Sequence, residues 1–395
     1  MTNLTVTKWN NCIIKPHRVP PFRNNMSRIP TARPSWTDEM RDAAVATLDS
    51  RHWVKGPKGR EFGEKFAKHC GALVATPCQN GSSSLWAALR ILGVGEGDEV
   101  IVPSYTFISS ATAIPLAGAE AVFVDVEPDY WCLDVDAVEA AITEKTKAVI
   151  GVHIFGQPYN PRLLKLCRDK GIYLIEDAAQ AHGASQVMLN GKESIAGAMS
   201  DLGCFSFFPS KNMAVGGEGG MLTTTAEQFT ELVSSVVNHG RSPSLESMQL
   251  GSNLRMSEVS AAIGIVQLSH LDSWVGRRRE IAELYNQKFA DHESVDTPKV
   301  RLGAKHAWHQ YCLSTKYPDE LVAHLDKHAI DTRRYYVTPC HQQSVFAEHP
   351  QHEEVLPVTA TLSSTLVAIP VMHELREDEI ERIIAAVTSF STPQH

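Results

Sequence analysis

The chain has 395 residues, 43% of them hydrophobic and 21% charged, and a formal net charge of −8. That length can bury a core shared by two or three structural units, and the negative balance argues against a nucleic-acid-binding surface, which carries an excess of Lys and Arg. No apolar run approaches the ~18–20 residues that cross a bilayer, and eight cysteines scattered without a CxxC pair read as reduced thiols of a cytoplasmic protein.

Residues 1–34 carry five prolines and no sustained period, and are expected to form an extended arm. Ser35-Trp36-Thr37-Asp38 then has the form of a helix start, with Met40, Ala44 and Leu48 recurring behind it. From about residue 72 the text alternates strand-like and helix-like segments. Strands are expected at 73–78, 99–103, 121–126, 148–155, 172–176 and 203–207, with helical spacing such as Leu85, Ala88, Leu89 and Leu92 between them. Such alternation predicts an α/β fold, a mostly parallel sheet with helices on both faces. One or two helices are expected from Glu258 to about Phe289, then strand-like text near 310–314 and a last helix near 378–389. The expected division is an arm at 1–34, a large domain at 35–265 and a small C-terminal domain at 266–395.

In a parallel sheet, ligands sit at the carboxyl ends of the strands, and the chemically interesting residues all fall there. Asn80-Gly81-Ser82-Ser83-Ser84 follows the first strand and opens a helix, so glycine, hydroxyls and free N–H groups can face a phosphate. Read alone, it suits an ordinary serine-rich helix cap better. Phe107, with Tyr105 in reserve, follows the second strand, where a flat side chain either stacks on a ligand ring or simply fills the core. Asp177 ends the strand Ile172–Glu176, and alternation sends Glu176 to the opposite side. Gln180 shares the turn of Asp177.

Lys211 lies in Phe205-Ser206-Phe207-Phe208-Pro209-Ser210-Lys211 and runs into Gly216-Gly217-Glu218-Gly219-Gly220. Aromatic flanks bury the segment, and a desolvated lysine beside a cationic ring is a nucleophile. A carboxylate at a strand end with such a lysine is what pyridoxal 5′-phosphate (PLP) chemistry needs. Lysine links to the cofactor as a Schiff base, and aspartate keeps the pyridine nitrogen protonated. Ser206 offers another hydroxyl to the phosphate. His306 and His309 stand three apart without a Cys or Glu companion, so no metal site is expected.

With these residues in view, the chain resembles the DegT/DnrJ/EryC1/StrS family of PLP-dependent sugar aminotransferases, of fold type I. The resemblance covers about residues 35–390. It rests on Gly95-x-Gly-Asp-Glu-Val-Ile-Val-Pro103, Glu176-Asp-Ala-Ala-Gln180, Cys204-Phe-Ser-Phe-x-x-x-Lys211, Gly217-Glu-Gly-Gly220, Asn238-His-Gly240 and Gly251-Ser-Asn-Leu-Arg-Met256, followed by Glu258 and Ala261-Ala-Ile-Gly264. It implies a mostly parallel seven-stranded sheet sandwiched by helices, with a smaller C-terminal α+β domain. It implies Lys211 as the cofactor-linked base, Asp177 at the ring nitrogen and Gln180 near the ring. Gly81, Ser82, Ser83 and Ser206 would lie at the phosphate and Phe107 on the ring face. Asn253 would reach the phosphate of a neighbouring subunit, hence a homodimer with shared sites.

The expected activity is transfer of an amino group from L-glutamate to a nucleotide-linked keto-sugar, with PLP alternating with pyridoxamine 5′-phosphate. A cyclitol aminotransferase using glutamine and a non-catalytic PLP-binding regulator are the alternatives. A deoxysugar dehydratase on this fold would replace Lys211 by histidine, and a nicotinamide dehydrogenase would need a GxGxxG turn that the first strand lacks. The segment Tyr335-Tyr336-Val337-Thr338-Pro339-Cys340-His341 and the long arm follow the family pattern only loosely.

Overall fold

Short apolar runs buried on both faces build the central sheet of the computed structural model, which describes residues 27–242 and 244–391. Strands β1 (Val74–Cys78), β2 (Glu99–Pro103), β3 (Glu120–Val124), β4 (Thr146–Val152) and β5 (Tyr173–Asp177) come first. A small hairpin, β6 (Ser185–Val187) and β7 (Glu193–Ile195), precedes β8 (Leu202–Ser206) and β9 (Gly220–Thr224). Seven of these form one sheet in the order β1-β9-β8-β5-β4-β2-β3. Only β9 is antiparallel to its neighbours, so the other strands deliver their carboxyl ends to one edge.

Two expectations change. The strand expected at 148–155 stops at Val152, because Ile154–Gly156 forms a tight turn with Phe155 at φ 55°. The glycine-rich text before Met221 also conceals β9, which no run in the sequence announces.

Alternation along β8 decides what faces the site. Phe205 and Phe207 point into an aromatic cluster with Phe62 and Phe66, with ring centroids 4.9 Å apart for Phe66–Phe205 and 5.3 Å for Phe62–Phe207. Ser206, between them, points the other way and lines a cavity. The Phe62 ring approaches the helix Glu258–Phe289 so closely that a Cβ on Gly264 would stand 2.7 Å from it. Helix Asp38–Asp49, capped by Thr37, packs on the same long helix.

Glu258–Phe289 is one continuous helix of 32 residues. The division expected at 265/266 therefore falls inside a helix. Leu271 and Val275 belong to the large core, whereas Ile281, Tyr285 and Phe289 belong to a second core. That second core gathers around β11 (Tyr311–Ser314), paired antiparallel with β12 (Leu366–Ile369), and helices Pro318–Lys327 and Glu377–Thr388. The short β10 (Ala304–Lys305) joins the β6–β7 hairpin. Residues 1–26 of the expected arm lie outside the described residues. Its last part is tied down: Ile29 is fully buried and bridges Ile330, and Arg33 meets the Glu379 carboxylate at 3.0 Å.

Candidate active site

At the carboxyl edge of the sheet lies a cavity of about 690 Å³, in the range of small-molecule sites. Gly81, Ser82, Phe107, Asp177, Gln180, Ser206 and Lys211 all line it. Seven residues spread over some 130 positions of sequence thus meet because β1, β2, β5 and β8 end together.

The β1 end opens the helix Gly81–Ile91, whose cap is Asn80: its Oδ1 accepts from Ser83 N at 2.8 Å. Gly81 lies against β8, since a Cβ there would stand 2.8 Å from that of Ser206. Ser82 Oγ donates to Ser109 Oγ at 2.7 Å, joining this helix start to that of Ile108–Leu116. Hydroxyls and free N–H groups at a positive helix end form an anion cradle. Ser83 stands apart from these residues. Its N–H is taken by the cap, and it does not line the cavity. Asn253 does not line it either; it is exposed and bridges Asn238.

Asp177 is buried, and both of its oxygens are held: Oδ2 accepts from Ser110 Oγ at 2.7 Å and Oδ1 from Ala179 N at 3.1 Å. Glu176 faces away, as alternation predicts. It accepts from Gly197 N and Met199 N, both at 2.7 Å, and from Ser200 Oγ at 3.1 Å, with His153 Nε2 at 2.9 Å. These bonds make Glu176 the brace that fixes the β5 end, and with it Asp177.

Lys211 is half-buried on the cavity wall, and its ammonium is partly desolvated there. Lost hydration pushes it down to about 8, opposed by the Asp177 charge. His182 and His309 lie buried behind it, and burial together with the Lys211 charge keeps both neutral.

Phe107 is half-exposed on the cavity wall, free to lie against a ring. Tyr105 is core: it is fully buried, its hydroxyl donates to the Tyr335 carbonyl, and its ring packs edge-on to Phe155 and Tyr336. Phe155, Gln310, Tyr335 and Tyr336 also line the wall, as does Glu218, and none of them is a site residue expected from the sequence. The Tyr335-Tyr336 segment gave a signal only as a departure from pattern. Nothing in the text near Phe155 or Gln310 marks them.

The cradle at Gly81, the held carboxylate of Asp177 and the desolvated amine of Lys211 fit phosphate, pyridine nitrogen and aldehyde of PLP respectively. A family model described as the DegT/DnrJ/EryC1/StrS aminotransferase family matches residues 34–388. The chain belongs to this family. Two curated relatives support the assignment. UDP-N-acetyl-3-dehydro-alpha-D-glucosamine 3-aminotransferase of Acidithiobacillus ferrooxidans is 35% identical over 89% of this chain and 93% of its own length. dTDP-3-amino-3,4,6-trideoxy-alpha-D-glucose transaminase of Streptomyces venezuelae is 36% identical over 89% and 92%. The crystal structure of S. venezuelae DesV in complex with a ketimine intermediate superposes with a TM-score of 0.85 at 35% identity, covering 89% of this chain and 93% of that one. This DegT/DnrJ/EryC1/StrS member is a PLP-dependent aminotransferase of fold type I.

Proposed function

We propose that this aminotransferase carries an amino group from L-glutamate to a keto-sugar linked to a nucleotide, in amino-sugar biosynthesis. The observation that carries the reading is the convergence of Lys211, Asp177 and the Gly81 helix start on one cavity, with relatives named for amino transfer to UDP- and dTDP-linked sugars.

When bound, PLP would supply an electron sink for negative charge developing on the substrate carbon. The chain's residues divide the remaining work. Gly81, Ser82 and Ser206 hold the phosphate, and Phe107 covers one ring face. Asp177, fixed by Ser110, keeps a proton on the pyridine nitrogen, an interaction strongest when charge enters the ring. Lys211 Nζ would take and return the proton at the substrate carbon. Gln180 fixes the ring edge. Donor and acceptor would use this one site in turn, with the bound cofactor held as PLP or as its amine form.

The reading includes a homodimer in which Asn253 reaches the neighbouring subunit's phosphate; the exposure of Asn253 on its own subunit supports it. Absorption of the PLP-loaded protein tests the function. A yellow band bleached by L-glutamate, then restored by a UDP- or dTDP-linked keto-sugar with formation of the amino-sugar, is expected. A band indifferent to L-glutamate and L-glutamine alike would overturn it in favour of a PLP-binding regulator.

A further inference from the structure

A chain of hydrogen bonds of fixed polarity ends on Tyr336 and leaves its hydroxyl proton unspent. The chain begins at Phe155, whose backbone is in the left-handed region, uncommon for an aromatic residue, with φ 55° and ψ 6°. The strain is held by its neighbours. His309 N donates to the Phe155 carbonyl at 2.8 Å, and Ala307 N donates to the Gly156 carbonyl at 2.9 Å. Gly156, at φ +103°, passes so near the 307–308 backbone that a Cβ would stand 2.9 Å from Trp308 N.

This turn aims the Phe155 N–H at Gln180 Oε1, at 2.7 Å. A backbone N–H can only donate, so the carbonyl end of Gln180 must face it and the amide cannot be flipped. Gln180 Nε2 then donates to the Tyr336 hydroxyl oxygen at 2.9 Å. The Tyr336 oxygen is thereby an acceptor, and its own proton must go elsewhere. Among the described residues no hydrogen bond donated by that hydroxyl is found, while Tyr336 forms part of the cavity wall. Burial pushes its pKa well above the ordinary value, so the proton stays in place.

The surroundings select what receives it. Tyr336 lies between aromatic rings: Phe155 stacked at 6.2 Å, Tyr105 edge-on at 5.6 Å and Tyr335 at 5.4 Å. Among the described residues of this subunit, Lys211 is the one basic side chain on the cavity wall. A carboxylate of an amino-acid donor placed against this aromatic wall would be desolvated without a cation, which is costly. A neutral sugar oxygen would not, and the C–H face of a sugar ring suits the rings beside it.

We propose that Tyr336 is a specificity-determining residue that donates its hydroxyl proton to a hydroxyl or carbonyl oxygen of the keto-sugar acceptor. The inference rests on the function proposed above. Its test is Tyr336→Phe, which keeps the ring, with the wild type measured alongside in both half-reactions. The kcat/KM for a UDP- or dTDP-linked keto-sugar is expected to fall about tenfold, a typical hydrogen-bond loss. The rate at which L-glutamate bleaches the band should change less than twofold, and the absorption maximum and thermal midpoint should stay in place.

Unchanged acceptor kinetics would overturn the proposal. So would equal losses in both half-reactions with a shifted band, which would mean that Tyr336 acts through Gln180 on the cofactor. A wild type that aminates neither sugar would instead overturn the proposed function, and the inference with it.

Discussion

Ser110 Oγ donates to Asp177 Oδ2 at 2.7 Å, and Thr106 Oγ1 stands 3.1 Å behind Ser110. Ser110 spends its only proton on the carboxylate, so Thr106 must donate to Ser110, and the carboxylate is oriented by two hydroxyls in series. All three side chains are buried. Ser110→Ala is therefore expected to lower kcat about tenfold while the protein still folds and retains PLP. Asp177→Asn should lower kcat much further, because it removes the charge itself. Steady-state kinetics with cofactor content measured on the same samples checks both, and a Ser110→Ala enzyme at full rate would show that Asp177 needs no such support.

Lys211 has a titration signature. Burial lowers its ammonium from the ordinary 10.5 to about 8 in the folded, cofactor-free protein. The unfolded chain therefore binds more protons than the folded one between about 8 and 10.5, and this residue's contribution to stability rises with pH across that window. Below about 8 both states are protonated and the burial penalty is fully felt. Lys211→Met should consequently raise the thermal midpoint of the cofactor-free protein at pH 7 and lose that advantage near pH 10. Capture of PLP by the wild type should speed up as pH rises through about 8, since only the neutral amine attacks. Lys211→Ala should abolish amino transfer.

Gly81 has no room for a methyl group, because a Cβ would meet that of Ser206 at 2.8 Å. Gly81→Ala must push the helix start away from β8 and open the phosphate cradle. The expected outcome is PLP binding weakened about tenfold or more, measured by equilibrium titration, with little change in the far-ultraviolet circular dichroism. Ser83→Ala, outside the cavity wall, should weaken PLP binding far less than Ser82→Ala.

If Asn253 serves the neighbouring subunit, two dead variants repair each other. Lys211→Ala and Asn253→Ala chains, co-expressed, would form hybrid dimers in which one site receives a good lysine and a good asparagine. Activity should return to about a quarter of the wild-type level, given half the dimers hybrid and one site in each. Failure of the mixture to exceed the Asn253→Ala homodimer would place Asn253 outside the neighbour's site.

Much of this protein is set locally. The runs that became β1, β2 and β5 and the helix starts at Thr37 and Asn80 are legible because period and capping act over a few residues, and the flanks of Asp177 and of Lys211 mark each of them locally. Strand alternation alone also separates Glu176 from Asp177 and Ser206 from Phe205 and Phe207. What needed the tertiary structure is everything that depends on distant segments meeting. Strand β9 is visible only as the partner that fills the gap between β1 and β8. The strand expected to reach Phe155 is cut short because residues 307–310 clamp its backbone into the left-handed region. Tyr336 enters the site only because the chain returns over 150 residues later to meet Gln180, and no local pattern encodes that pairing.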